Sequence, residues 1–307
     1  MKLLEIPHLN VKNQVPTLVI LALIVILALL FVGRGGFVVP QGAPELSLGR
    51  ELGLVAVGLL AGTLGGLIGT GGCSVMLPIL HFWMGYPAAI AVGTTLFAVI
   101  FTALSGAYGH LVRGNLDRRA VAYLGGAGVL GVIFGSWLFT SLADQSKLLG
   151  FILGLIFLWP ALRMIWEGIT QAKMPQREGI KISSPAGGLS IFGILVGIAT
   201  GVAGLGGGYA LVPGLIYLFG APVYITMGTS LATMIPLAVV GGGIKLAQGF
   251  VDLGAGLALP AGTVIGAQVG AAVIKRFKPS TLKLLFGVYF LYVAVKFVAS
   301  FFGINIW

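Results

Sequence analysis

Residues 64–80 read LGGLIGTGGCSVMLPIL: five glycines, the chain's one cysteine, a serine and a proline, set inside an apolar segment. Around this stretch 58% of the 307 residues are hydrophobic and only 8% charged, with a mean hydropathy of +1.07. Soluble domains carry roughly 25% charged residues, so this composition specifies an integral membrane protein. Apolar runs of about 20 residues argue for spanning helices and against a barrel, whose strands would alternate. A broken backbone inside such a run is costly, because hydrocarbon satisfies no free N–H or C=O. The glycines therefore mark a place where the chain leaves helical geometry for a reason.

The stretch has a twin, TGVAGLGGGYALVPGLI at residues 200–216. A shift of 135 residues pairs Gly69, Gly71 and Gly72 with Gly204, Gly206 and Gly207, and Pro78 with Pro213. It runs on through Pro87/Pro222, Gly93-Thr94/Gly228-Thr229, Gly114/Gly249, Asp117/Asp252 and Gly135/Gly270. Residues 58–135 hold 17 glycines and residues 193–270 hold 19; chance gives about 4 coincidences and 12 are found. The chain is an internal duplication. Its parts are an N-terminal spanning helix with a connector (1–50), a first repeat (51–168), a linker (169–187) and a second repeat (188–307). Val15–Val32 is too long for a signal-peptide core and reads as a retained span.

Each half repeats the same elements: an apolar helix, a glycine break, a short helix of about half a bilayer, and three full-length runs. Glu51–Ile68, Ser74–Met84, Ala88–Gly109, Ala120–Leu142 and Leu148–Trp166 answer to Leu189–Ala203, Tyr209–Phe219, Tyr224–Leu246, Leu253–Val273 and Leu282–Phe301. If each break makes a hairpin, the Lys and Arg residues divide 13 inside to 5 outside; if each lies within a single crossing, the best split is 11 to 7. The positive-inside rule favours the hairpin. The expected fold is thus an all-α membrane protein with two inverted-topology repeats, a cytoplasmic N-terminus, a cytoplasmic linker from Glu167 to Pro185, and the C-terminus outside. The net charge of +10 lies in short loops, a membrane-loop pattern and not a nucleic-acid patch.

Glycine-interrupted segments at matching positions of two halves point to a transport site. Two half-helix N-termini, near Ser74 and Tyr209, would bring unpaired N–H groups and positive dipole ends together, which suits an anion. The polar residues there are neutral: Thr70, Cys73, Ser74, Thr94, Thr95, Tyr209, Thr229, Ser230 and Thr233. Gly58, Gly62, Gly66 and Gly193, Gly197, Gly201 recur every four residues and read as helix-packing positions. Pro78 and Pro213 read as lying near the first turn of the short helices, where proline is tolerated.

GLIGTGGCSVMLPIL and GVAGLGGGYALVPGL, each followed by GTT or GTS, resemble the paired signatures of the TauE/SafE family over about residues 50–302. The resemblance implies a permease for sulfite, organosulfonates or other sulfur-containing anions, as exporter or importer, in the cell (plasma or inner) membrane. It implies that Gly69, Thr70, Gly71, Gly72, Cys73 and Ser74, with Gly204, Gly206, Gly207, Gly208 and Tyr209, form the substrate loops. Thr94, Thr95, Thr229 and Ser230 would face them. Cys73 departs from its mate Gly208, so the loops differ chemically.

Cys73 reads as a small buried residue, with a thiolate relay of sulfur as the functional alternative. His81, placed near mid-membrane, reads as a neutral hydrogen-bonded ring, with proton coupling as the alternative. His110 and Lys245 occupy equivalent helix ends and read as snorkelling cations, or else as mouths that draw anions in. Asp117 and Asp252 read as helix caps. No cofactor or metal is expected. Enzyme chemistry has no Ser/His/Asp, HExxH or paired-aspartate set at helix depth, and no Walker A lysine is present. The leading expectation is a secondary transporter working by alternating access, with H+ or Na+ as coupling ion and room for a homo-oligomer. An anion channel, or a permease for a non-sulfur organic anion, is the alternative.

Overall fold

A computed structural model describes residues 11–33, 39–170, 179, 181–273, 279–304 and 306. It is all-helical, with no strand among the described residues. The helices are α1 (Val11–Gly33), α2 (Leu48–Ile68), α3 (Cys73–Pro78), α4 (Ala88–Val112), α5 (Arg118–Ala143) and α6 (Ser146–Thr170). The second half supplies α7 (Ala186–Ala203), α8 (Gly208–Tyr217), α9 (Val223–Ala247), α10 (Leu253–Val273) and α11 (Pro279–Phe301). Among the described residues eight helices are long and apolar enough to cross a bilayer.

Local chemistry sets the helix starts. Ser47 accepts from the Arg50 N–H at the head of α2, and Asp117 accepts from the Arg119 and Ala120 N–H groups at the head of α5. Asp252 does the same for Ala255 in α10, so both aspartates cap as expected. Pro87, Pro185 and Pro222 precede α4, α7 and α9.

Helix packing interleaves the halves. α2 lies on α10 and, at the mate positions, α7 lies on α5; α4 pairs with α9, and α6 with α11. The glycine stripes make the first two seams. A Cβ on Gly58, Gly62 or Gly66 would collide with the carbonyls of Leu259, Thr263 and Ala267. One on Gly193 or Gly197 would collide with those of Leu124 and Gly128, and one on Gly201 would lie 2.6 Å from the Ser136 nitrogen. These glycines are packing residues, allowing backbones to touch. The α6–α11 pair instead locks with rings, Phe157 stacking on Phe297 at 6.2 Å. Large apolar side chains facing outward, such as Leu130, Trp137, Trp159 and Ile191, form a surface suited to lipid. α1 adds to the rim through a small cluster of Ile24 with Phe101, Leu257 and Val264.

Both breaks turn the chain back along the helix it has just left. Gly72 abuts Ala61, and Gly207 abuts Val196 and Thr200. α8 then returns along α7, so that Gly214 and Phe219 meet Phe192. The hairpin reading holds. Two local readings do not. Pro78 and Pro213 are each the sixth residue of their short helix, not first-turn residues; each ring removes an i→i−4 bond, and after Pro78 the chain winds into a π-helical turn, Ile79–Trp83. Glu167, expected at the start of the linker, is a buried residue of α6. It pairs with Arg163 at 2.7 Å and accepts from the Tyr217 hydroxyl at the end of α8. The central part of the linker lies outside the described residues.

Candidate functional site

The two breaks are built alike. Gly69, Gly71 and Gly72 have φ of +80°, +71° and +74°; Gly204, Gly206 and Gly207 have +67°, +65° and +88°. Side-chain-bearing residues rarely adopt this region, which accounts for the glycine clusters beyond any packing need. The first glycine of each set ends a helix, its N–H returning to Gly65 or Thr200 at 2.8 Å.

The loops meet. The Cys73 thiol donates to the Leu205 carbonyl of the opposite loop and lies 3.1 Å from the Thr70 carbonyl of its own. A Cβ on Gly208 would lie 2.6 Å from the Thr70 Cα and 2.9 Å from the Met234 sulfur. A side chain therefore fits at 73 and not at its mate 208, which explains the one chemical departure between the loops. Cys73 is fully buried and bonded as a protonated thiol; a thiolate there would confront two carbonyl oxygens. Met234 and its mate Val99 sit at the junction, touching both Gly71 and Gly206. Every residue of 69–78 and 201–209 is buried, so the loops are enclosed.

The hydroxyls divide into two groups. Thr94 accepts from the Asp252 N–H and Thr229 from the Asp117 N–H, each at 3.0 Å. These mates join the halves at the helix caps; the resemblance had them facing the loops, but their oxygens are engaged elsewhere. Their neighbours lie toward the loops: Ser230 donates to the Gly69 carbonyl at 3.1 Å, and Thr95, on the face of α4 between Val92 and Val99, which meet Gly204 and Gly206, is fully buried with no protein partner. Ser74, Thr200, Tyr209, Thr226 and Thr233 are also buried hydroxyls without partners. Native proteins leave few such groups.

His81 lies in the π-helical turn at the exit end of its hairpin. Its Nδ1 meets the Tyr86 carbonyl at 2.8 Å, and its ring stacks on Phe297 at 5.4 Å. His110 and Lys245 do not snorkel: both are buried. Lys245 donates to the Gly201 carbonyl at 2.6 Å, near the C-terminus of α7. The His110 ring is turned toward the mate carbonyl, Gly66, without a hydrogen bond of full geometry. Thr200, Met234 and Val99 are the site neighbours that motif reading passed over. The 135-residue register pairs Val99 with Met234, yet apolar residues carry no chemical signature.

The family described as Sulfite exporter TauE/SafE matches residues 54–297. The chain belongs to the TauE/SafE family. "Probable membrane transporter protein YdhB" of Bacillus subtilis (strain 168) is 32% identical over 230 residues, covering 75% of this chain and 93% of that protein. "Probable membrane transporter protein YunE" of the same organism is 29% identical, covering 76% and 91%. A "Probable membrane transporter protein" of Haemophilus influenzae is 28% identical, covering 78% and 95%. No solved structure matches the chain. This TauE/SafE protein is a multi-pass membrane transporter of a transporter family, not of an enzyme family.

Proposed function

We propose that this TauE/SafE protein is a secondary permease for a small sulfur-containing oxyanion, such as sulfite, thiosulfate or an organosulfonate. It binds the anion between the two glycine loops and works by alternating access. The observation that carries this reading is the set of buried, unpartnered hydroxyls of Ser74, Thr95 and Tyr209 beside two positive-φ breaks in contact. Each polar group buried unbonded carries a desolvation penalty, and an oxyanion entering between the loops would accept from all three. The breaks' free N–H groups add donors, and no carboxylate lies in either loop to repel the ligand. Full enclosure fits a carrier in an occluded state. Hairpins followed by three full-length helices per half would start α7 on the membrane face opposite α2, the parity an inverted repeat requires.

The test uses purified protein in proteoliposomes and influx of sulfite, thiosulfate, sulfate, sulfoacetate and a simple carboxylate over a concentration series. Saturable flux of a sulfur anion is expected. Ser74→Ala and Tyr209→Phe remove hydroxyls that bond to nothing in the closed state, so melting temperature should hold or rise while the half-saturating concentration climbs about tenfold. Flux linear in concentration, preference for the carboxylate, or unchanged saturation in both variants would overturn the reading.

A further inference from the structure

Lys245 is the one fully buried lysine among the described residues. Its side chain is fully buried, its amine sits 3.9 Å from the centre of the Phe139 ring, and its hydrogen bond is to the Gly201 carbonyl. The one ion pair among the described residues is Arg163–Glu167, so no carboxylate answers this ammonium. The elements packed on α9 bring His110 of α4 and Tyr209 of α8 as their buried ionisable groups; α7 brings none, and Arg118, Arg119 and Tyr123 of α5 lie at that helix's other end. An ammonium removed from water without an anionic partner is costly, and an ionisable residue at membrane depth is a functional one by default.

Its surroundings are poised for a negative ligand. Ser136, one turn from Phe139 on α5, is fully buried with an unpartnered hydroxyl, and its backbone packs directly on Gly201. Thr200 is likewise fully buried and unpartnered, its hydroxyl 3.0 Å from the Cβ position of Gly207, the residue that opens the ten-residue helix α8. The mate positions of Lys245, Ser136 and Thr200 hold His110, Ala271 and Gly65, so the duplication does not repeat this cluster. Above it the α5–α9 seam opens as a groove of about 450 Å³ lined by Ile133, Trp137, Thr140, Ser141, Ile244 and Gln248.

We propose that Lys245, with the hydroxyls of Ser136 and Thr200, is the charge-compensating site for the transported anion: the ammonium leaves the Gly201 carbonyl and pairs with the anion as it passes the α7 break. The inference rests on the anion-permease reading and adds to the neutral loops the fixed cation that they lack.

Proteoliposomes of wild type, Lys245→Met, Lys245→Arg and Ser136→Ala, matched for inserted protein, are compared for thiosulfate and sulfite influx and for thermal stabilisation by those anions. Lys245→Met should raise the half-saturating concentration at least about 30-fold and lose the anion-dependent stabilisation. Lys245→Arg should recover most of both, and Ser136→Ala should weaken uptake several-fold without a lower melting point. A lysine that merely caps α7 would instead lower the melting point of Lys245→Met while leaving saturation and anion stabilisation as in wild type, which overturns the proposal. If Lys245→Met does not insert, Ser136→Ala and Thr200→Val decide: wild-type saturation in both overturns it. Absence of any anion uptake by wild type would remove the permease reading and this inference together; wild-type uptake with unaffected variants would remove this inference alone.

Discussion

The positive-φ breaks make a ranked prediction among glycines that look alike in the sequence. At Gly72 an added Cβ would sit 2.7 Å from the Ala61 carbonyl carbon and collide with its oxygen, both fixed in α2. At Gly206 it would sit 2.6 Å from the Met234 terminal methyl and 2.9 Å from a Val99 methyl. Both substitutions to alanine incur about 1–2 kcal/mol for left-handed backbone. Gly72→Ala adds about 1–3 kcal/mol of overpacking against immovable backbone, for a sum of about 2–5 kcal/mol. Gly206→Ala adds about 1 kcal/mol, because the methionine end can turn. At roughly 2–4 °C per kcal/mol, detergent-purified protein should melt about 10 °C lower for Gly72→Ala and about 7 °C lower for Gly206→Ala, read by size-exclusion chromatography after heating. Met234→Val should relieve part of the Gly206→Ala loss, a coupling of about 1 kcal/mol, and none of the Gly72→Ala loss. Equal losses, or no relief by Met234→Val, would refute the geometry of the two breaks.

Thr94→Val and Thr229→Val each leave a buried aspartate N–H unbonded. Each should cost about 1–3 kcal/mol, with nearly equal drops in melting temperature; a large inequality would contradict the two-fold arrangement. Glu167→Gln weakens the contact that ties α6 to the tip of α8. Because Arg163 is more than a third exposed, the loss should be only about 1 kcal/mol, visible as earlier proteolysis near the linker; unchanged cleavage would show the tie to be dispensable. Cys73→Ser preserves a donor between the loops, so thiosulfate and sulfite flux should both stay within about twofold of wild type. Selective loss of thiosulfate flux would instead favour sulfur exchange at the thiol.

The duplication, the helix inventory and the hairpins were legible because each leaves a periodic trace. Glycines repeat at four-residue spacing where backbones touch, and again at a 135-residue shift where the breaks recur. Finer placement was not legible. Thr94 and Thr95 are adjacent letters, but neighbouring helix positions point about 100° apart; only packing against α10 reveals that Thr94 serves a cap and Thr95 the loops. Lys245 is the third-last residue of α9, where a cation ordinarily reaches for water. Its burial follows from the α7 break, which brings a C-terminal carbonyl to that depth from a segment more than forty residues away. Glu167 misled for the mirror reason: a charge next to a polar linker reads as solvated, and its partners Arg163 and Tyr217 lie on either side of that linker.

The halves agree where they build and differ where they line the site. Glycine breaks, capping aspartates and cap-binding threonines are paired through the duplication. Cys73 faces Gly208 in the register, His110 answers Lys245, and Ala271 and Gly65 answer Ser136 and Thr200. This division has a physical rationale under the alternating-access reading. Exchange between two mirror-related states needs frames of similar stability, so the residues that hold each hairpin must match. A single anion, however, needs one compensating charge, and a second ammonium at His110 would add an unpaired buried cation whenever the site is empty. On that reading, an imidazole on one side and an amine on the other supply the charge once, without disturbing the frame that both halves share.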